Sequence, residues 1–135
     1  MKRLSLLFCA AIIFLCSSCF TDHDNYYVKY EAIITPTFGL PSRIVEATYN
    51  VSTEKGNTEI TTDSFSWSET FGPVNKGFTA SLSAKARVIY ISDAPMTLNI
   101  YVCRGEEPFV IKAQKTSTLQ HDIEVKDSVS YTIDF

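Results

Sequence analysis

Few side chains in this 135-residue chain are of the kinds that usually carry chemistry: four cysteines, two histidines and one tryptophan stand out against fifteen carboxylates. His23 lies between Asp22 and Asp24, which is metal-ligand chemistry, but three consecutive residues cannot encircle an ion, so no metal site is expected. His121 and Asp122 are adjacent; on a strand they would point to opposite faces, which argues against a catalytic dyad. Glu106 and Glu107 follow Gly105 directly and read as turn carboxylates, not as an acid and a base facing each other across a substrate. No serine has the Gly-x-Ser-x-Gly setting of an activated nucleophile. The expectation is a protein that is not an enzyme and takes no cofactor.

The N-terminus carries the most specific pattern. Met1-Lys2-Arg3 leads into an apolar run from Leu4 to Leu15, followed by Cys16-Ser17-Ser18-Cys19. Two cations and a run too short to span a hydrocarbon core of about 30 Å describe a signal peptide over residues 1–18. Ser17-Ser18-Cys19 resembles the lipobox of bacterial lipoproteins, in the relaxed Ser-Ser-Cys form common in the Bacteroidota. The resemblance implies cleavage before Cys19 and attachment there of a diacylglycerol thioether and acyl chains such as palmitate. Cys16 does not fit, because Phe14 and Leu15 stand where small residues are needed. Residues 19–25 then form a lipidated cysteine and an acidic tether with Asp22 and Asp24. The tether is similar to those that direct Bacteroidota lipoproteins to the outer face of the outer membrane. The expected location is the outer membrane, facing the periplasm or the cell surface, with the lipid anchor as the membrane contact.

Cleavage removes Lys2 and Arg3 but no acid, taking the formal net charge from −3 to −5. A mildly acidic domain lacks the clustered cations that neutralise phosphates, so nucleic acid is not an expected partner. Cys9 and Cys16 leave with the signal and Cys19 is acylated, which leaves Cys103 with no disulfide partner and no zinc cluster to join. Residues 26–135 must then be held together by an apolar core.

Those residues show a period of two. In the run from Phe78 to Val88 the even positions are apolar and the odd ones polar, and Met96, Leu98, Ile100 and Val102 alternate in the same way. With Asp93-Ala94-Pro95 between them, the two runs read as an antiparallel pair. Further strands are expected over 28–35, 43–52, 59–65, 109–113, 119–125 and 129–135. The breakers include Gly72-Pro73, Arg104-Gly105-Glu106 and Lys126-Asp127. No stretch keeps helical spacing with caps. About seven or eight strands with frequent turns describe an all-β, immunoglobulin-like antiparallel sandwich. Large inward candidates such as Phe65, Trp67, Leu82 and Leu98 would leave no lumen in a small barrel.

Four segments resemble, in order, a family of small mycobacterial membrane proteins that accompany RND-type lipid transporters. They are Val28-Lys29-Tyr30-Glu31, Ala47-Thr48-Tyr49-Asn50, Ser66-Trp67-Ser68-Glu69-Thr70-Phe71 and the alternating run from Phe78 to Ala84. The resemblance covers roughly residues 28–86 and implies a periplasm-side sandwich that assists export or binds a partner protein. Members of that family carry a transmembrane helix and paired late cysteines, where this chain has only Cys103.

Two functions are set against each other. In one, a lipid-anchored envelope protein docks its sandwich to a partner protein, such as an export or transport assembly. In the other, a surface module binds glycan or a host ligand on exposed Tyr26, Tyr27 and Tyr101. A flat patch of loop-end aromatics would favour the second, and a flat apolar area along a sheet edge the first. Trp67 could serve as a platform for sugar or lipid, but beside Phe65 in a small sandwich it is expected in the core. Asp127-Ser128-Val129 resembles the three-residue O-glycosylation acceptor of exported Bacteroidota proteins, which implies modification of Ser128 in an exposed turn.

Overall fold

The computed structural model describes residues 25–36, 43–89 and 93–134. The expected signal peptide, His23 and Cys19 lie outside the described residues. Eight strands follow one another: β1 (Tyr26–Ile34), β2 (Arg43–Thr53), β3 (Gly56–Thr62), β4 (Ser66–Val74), β5 (Thr79–Ile89), β6 (Ala94–Arg104), β7 (Val110–Leu119) and β8 (Val125–Thr132). They form two four-stranded antiparallel sheets, the first in the order β4-β1-β6-β7 and the second β3-β2-β5-β8. No helix occurs among the described residues.

Central strands carry the period-two pattern because each has neighbours on both sides and one face in the core. On β1 the buried side chains are Tyr26, Val28, Tyr30, Ala32 and Ile34; Lys29 and Glu31 between them face outward. β5 alternates from Ala80 to Val88 and β6 from Ala94 to Val102, and Leu82, Met96, Leu98 and Ile100 are at most 1% exposed. Side-chain contacts cross the core between the sheets. Tyr30 Oη donates to the Ser52 carbonyl oxygen at 2.7 Å, and the Tyr49 ring stacks on Trp67 at 5.2 Å between centroids. Trp67 is half-buried against the core, with its neighbours Ser66 and Ser68 exposed.

The two-sheet antiparallel sandwich is the expected class, and the strand order is more particular. β1 and β2 lie in opposite sheets, whereas in an immunoglobulin constant-type domain the first two strands are neighbours. The expected pairing of the runs 78–88 and 96–102 does not occur: β5 lies between β2 and β8, and β6 between β1 and β7. Alternation sets which face a strand buries but not which neighbour it takes. β5 and β6, consecutive in the chain, therefore lie in different sheets.

Edge strands depart most from the expected bounds. β4 was absent from the expected strands and runs through Gly72-Pro73, which an edge tolerates because proline's missing donor can face outward there. Gly72 has φ +138, and a Cβ on it would lie 2.9 Å from the Tyr26 carbonyl oxygen. Only glycine fits that approach to β1. β7 is one strand through Gln114-Lys115-Thr116, and residues 120–124 form a turn with a single bridge between His121 and Val88. β8 begins before the expected breaker Lys126-Asp127 and contains it.

Candidate functional site

The outer face of the first sheet carries an ordered polar array. Glu31 lies opposite Asn99 in the β1–β6 register, Lys29 opposite Tyr101, and Gln114 on β7 opposite Asn99. Strand pairing alone sets these side chains side by side on one face. One oxygen of Glu31, Oε2, accepts hydrogen bonds from Tyr101 Oη at 2.7 Å and Asn99 Nδ2 at 3.0 Å. Gln114 Nε2 donates to Asn99 Oδ1 at 2.9 Å. Lys29 Nζ is 4.0 Å from Glu31 Oε1 and 5.2 Å from the centre of the Tyr101 ring. Asn99 is only 4% exposed although it faces outward, because its neighbours in the array cover it.

Burial alone would raise the Glu31 carboxyl. The hydrogen bonds from Tyr101 and Asn99 and the nearby Lys29 outweigh it and hold the group below its ordinary value. The bond donated to Glu31, then burial and the carboxylate charge, push the Tyr101 phenol up. Both shifts lead away from neutrality, so the carboxylate stays ionised and the phenol protonated. Chemically the array is a fixed set of donors and acceptors rather than a proton-cycling pair.

The outer face of the second sheet is lined by Ser, Thr and charged side chains. Lys85 and Lys126 both approach Glu124, at 3.4 and 3.6 Å, and Arg87 approaches Asp122 at 3.5 Å. Such half-exposed pairs contribute about 0–1 kcal/mol each. Two shallow depressions of about 280 and 460 Å³ share Thr48 and Lys85, and no aromatic ring lines either of them. His121 and Asp122 occupy the turn before β8, not opposite faces of a strand, and Asp122 has φ 54. Glu106 and Glu107 are exposed in the turn between β6 and β7.

The neighbouring edges of the two sheets are joined by a charge pair. Lys115 of β7 and Asp127 of β8 are 2.5 Å apart, and Ser117 Oγ also donates to Asp127. Burial pulls the Asp127 carboxyl upward, but bonds from Lys115, Ser117 and the Ser128 amide hold it below its ordinary value. Charged side chains between two edge strands discourage edge-to-edge pairing with other chains. Ser128 is exposed, as O-glycosylation would require, but it sits within β8 and not in a turn.

Of the three tyrosines expected to form a ligand platform, Tyr26 is fully buried. Tyr27 and Tyr101 are half-buried on the outer face of the first sheet, with the Tyr101 hydroxyl committed to Glu31. Among the described residues the consecutive exposed apolar side chains are Phe109, Val110 and Ile111, at the start of β7. Farther along that edge the strand turns polar, so the described residues form neither an aromatic platform nor a continuous apolar sheet edge. Cys103 is a buried free thiol, which burial pushes up from its ordinary value. Sequence patterning points to Tyr101 but not to its partners, Glu31, Asn99 and Gln114. A signal for two of them was present: Glu31 and Asn99 stand at polar positions within otherwise apolar alternations.

No family model matches this chain, and no curated protein or solved structure is significantly similar to it.

Proposed function

We propose that this chain is a non-enzymatic lipoprotein of the bacterial outer membrane, anchored through Cys19, whose sandwich docks to a partner protein of the envelope through the outer face of the first sheet. The preorganised array of Glu31, Asn99, Tyr101 and Gln114 carries the reading. Its side chains are held by one another before any partner arrives, which reduces the ordering cost of association. Tyrosine is also among the residues that dominate interface energetics. The likeness of residues 28–86 to the transporter accessories favours an export or transport assembly as the partner, and O-glycosylation of Ser128 belongs to the same reading. Photo-crosslinking in living cells tests it, with a benzophenone amino acid at Gln114 on the array and, separately, at Ser130 on the outer face of β8. A discrete crosslinked protein from Gln114 alone supports the assignment. Equal products from both positions, or none from Gln114, reject it.

A further inference from the structure

We propose that Phe109, Val110 and Ile111 form a second membrane contact, lying against the same bilayer surface that holds the lipid at Cys19; this rests on the lipoprotein reading above. The Gly105 amide donates to the Asn25 carbonyl oxygen at 2.8 Å, and Tyr26 pairs with Arg104. The chain therefore enters β1 beside the turn that connects β6 to β7. Six peptide steps separate Cys19 from Asn25, a reach of at most about 20 Å when fully extended. Acylation of Cys19 thus keeps this end of the sandwich close to the headgroups. Strands of nine to eleven residues carry the opposite end roughly 30 Å farther out.

Among the described residues, the tethered end is also where consecutive apolar side chains are exposed. Phe109, Val110 and Ile111 are 40%, 53% and 45% exposed, whereas Ile33 and Ile123, toward the opposite end, each stand without an exposed apolar neighbour directly beside them in the sequence. Turns at the tethered end carry both signs of charge, Lys55, Lys76 and Arg104 against Glu54, Glu106 and Glu107. Attraction to anionic lipid is therefore not the driving term, and the contact is apolar. With acyl chains already supplying affinity, the added contact fixes orientation. It holds the strands away from the bilayer and presents the Glu31–Tyr101 face sideways to an envelope partner.

The experiment uses the mature protein, produced from the full chain and reconstituted in phosphatidylcholine vesicles with or without brominated acyl chains. Phe109→Trp and Val110→Trp are compared with Ile123→Trp at the opposite end, with the native Trp67 as background. Mass spectrometry of each preparation reports acylation of Cys19. The expected result is loss of emission in brominated vesicles for Phe109→Trp and Val110→Trp, and none beyond background for Ile123→Trp. Acylated protein without that loss overturns this contact and leaves the lipoprotein reading standing, whether a second copy covers the run or it stays in water. Protein without an acyl group at Cys19 overturns both.

Discussion

The hydroxyl of Tyr30, on β1 of the first sheet, donates to the carbonyl oxygen of Ser52 on β2 of the second at 2.7 Å, a polar bond that joins the two sheets. Ser52 Oγ accepts from the Ser81 amide at 2.8 Å and donates to the Thr79 carbonyl at 2.9 Å. It thereby continues the junction of β2 and β5 just past their last paired residues, Val51 and Leu82.

Replacing Tyr30 by Phe keeps the ring and leaves a carbonyl without its phenol donor. Tyr30→Phe is expected to lower stability by about 1–3 kcal/mol in urea melts, the penalty of an unsatisfied buried acceptor. Ser130→Ala on the exposed face of β8 should stay within about 0.5 kcal/mol of the parent. Equal effects would show that the inter-sheet bond contributes nothing.

Tyr49 presents the opposite case. Its hydroxyl is buried with no hydrogen-bond partner among the described residues, and burial pushes its phenol up to about 12. A folded-state value above the unfolded one of about 10 gives stability that is present below pH 10 and lost as pH rises toward 12. Tyr49→Phe keeps the stack on Trp67 and removes the orphaned hydroxyl. It is expected to match or exceed the parent in stability at pH 7 and to lose less of it between pH 10 and 12. A variant that melts earlier at pH 7 would mean that the hydroxyl has a partner.

The register of β5 can be tested at adjacent positions. Leu82 is fully buried and Ser83 beside it is half-buried on the outer face. Leu82→Ala should lose roughly 2–5 kcal/mol, and Ser83→Ala close to nothing. Similar urea midpoints for the two variants would contradict the assigned face.

Acid stability should depend on two carboxylates. Glu31 and Asp127 are both held below their ordinary values, where hydrogen bonds and cations outweigh burial. Their contribution is complete above the ordinary carboxylate range near pH 4 and is lost as pH falls through the lower folded values. The double variant Glu31→Gln, Asp127→Asn should therefore show a flatter decline in melting temperature from pH 5 to pH 2 than the parent. An unchanged decline would place the acid-sensitive groups elsewhere.

How far the sequence revealed the fold differs between central and edge strands. β1, β5 and β6 were legible because each keeps one unbroken apolar face, as Leu82 and Leu98 do within theirs. β7 and β8 were not bounded correctly because Lys115 and Ser117 both bond Asp127 between the sheet edges, which breaks the apolar alternation without ending the strand. β4 was hidden by Gly72-Pro73, a breaker in a central strand but acceptable at an edge. The array was hidden for a different reason. Glu31 and Tyr101 are 70 positions apart and meet only because β1 pairs with β6, a choice of neighbour that alternation does not encode.

Attachment through Cys19 is tested by metabolic labelling with an alkyne fatty acid. Wild-type protein should take up the label and stay with membranes through a high-salt wash, because buried acyl chains contribute about 0.8 kcal/mol per methylene. Cys19→Ala should carry no label and accumulate as unprocessed precursor. Label retained by Cys19→Ala, or absent from the wild type, would contradict the account.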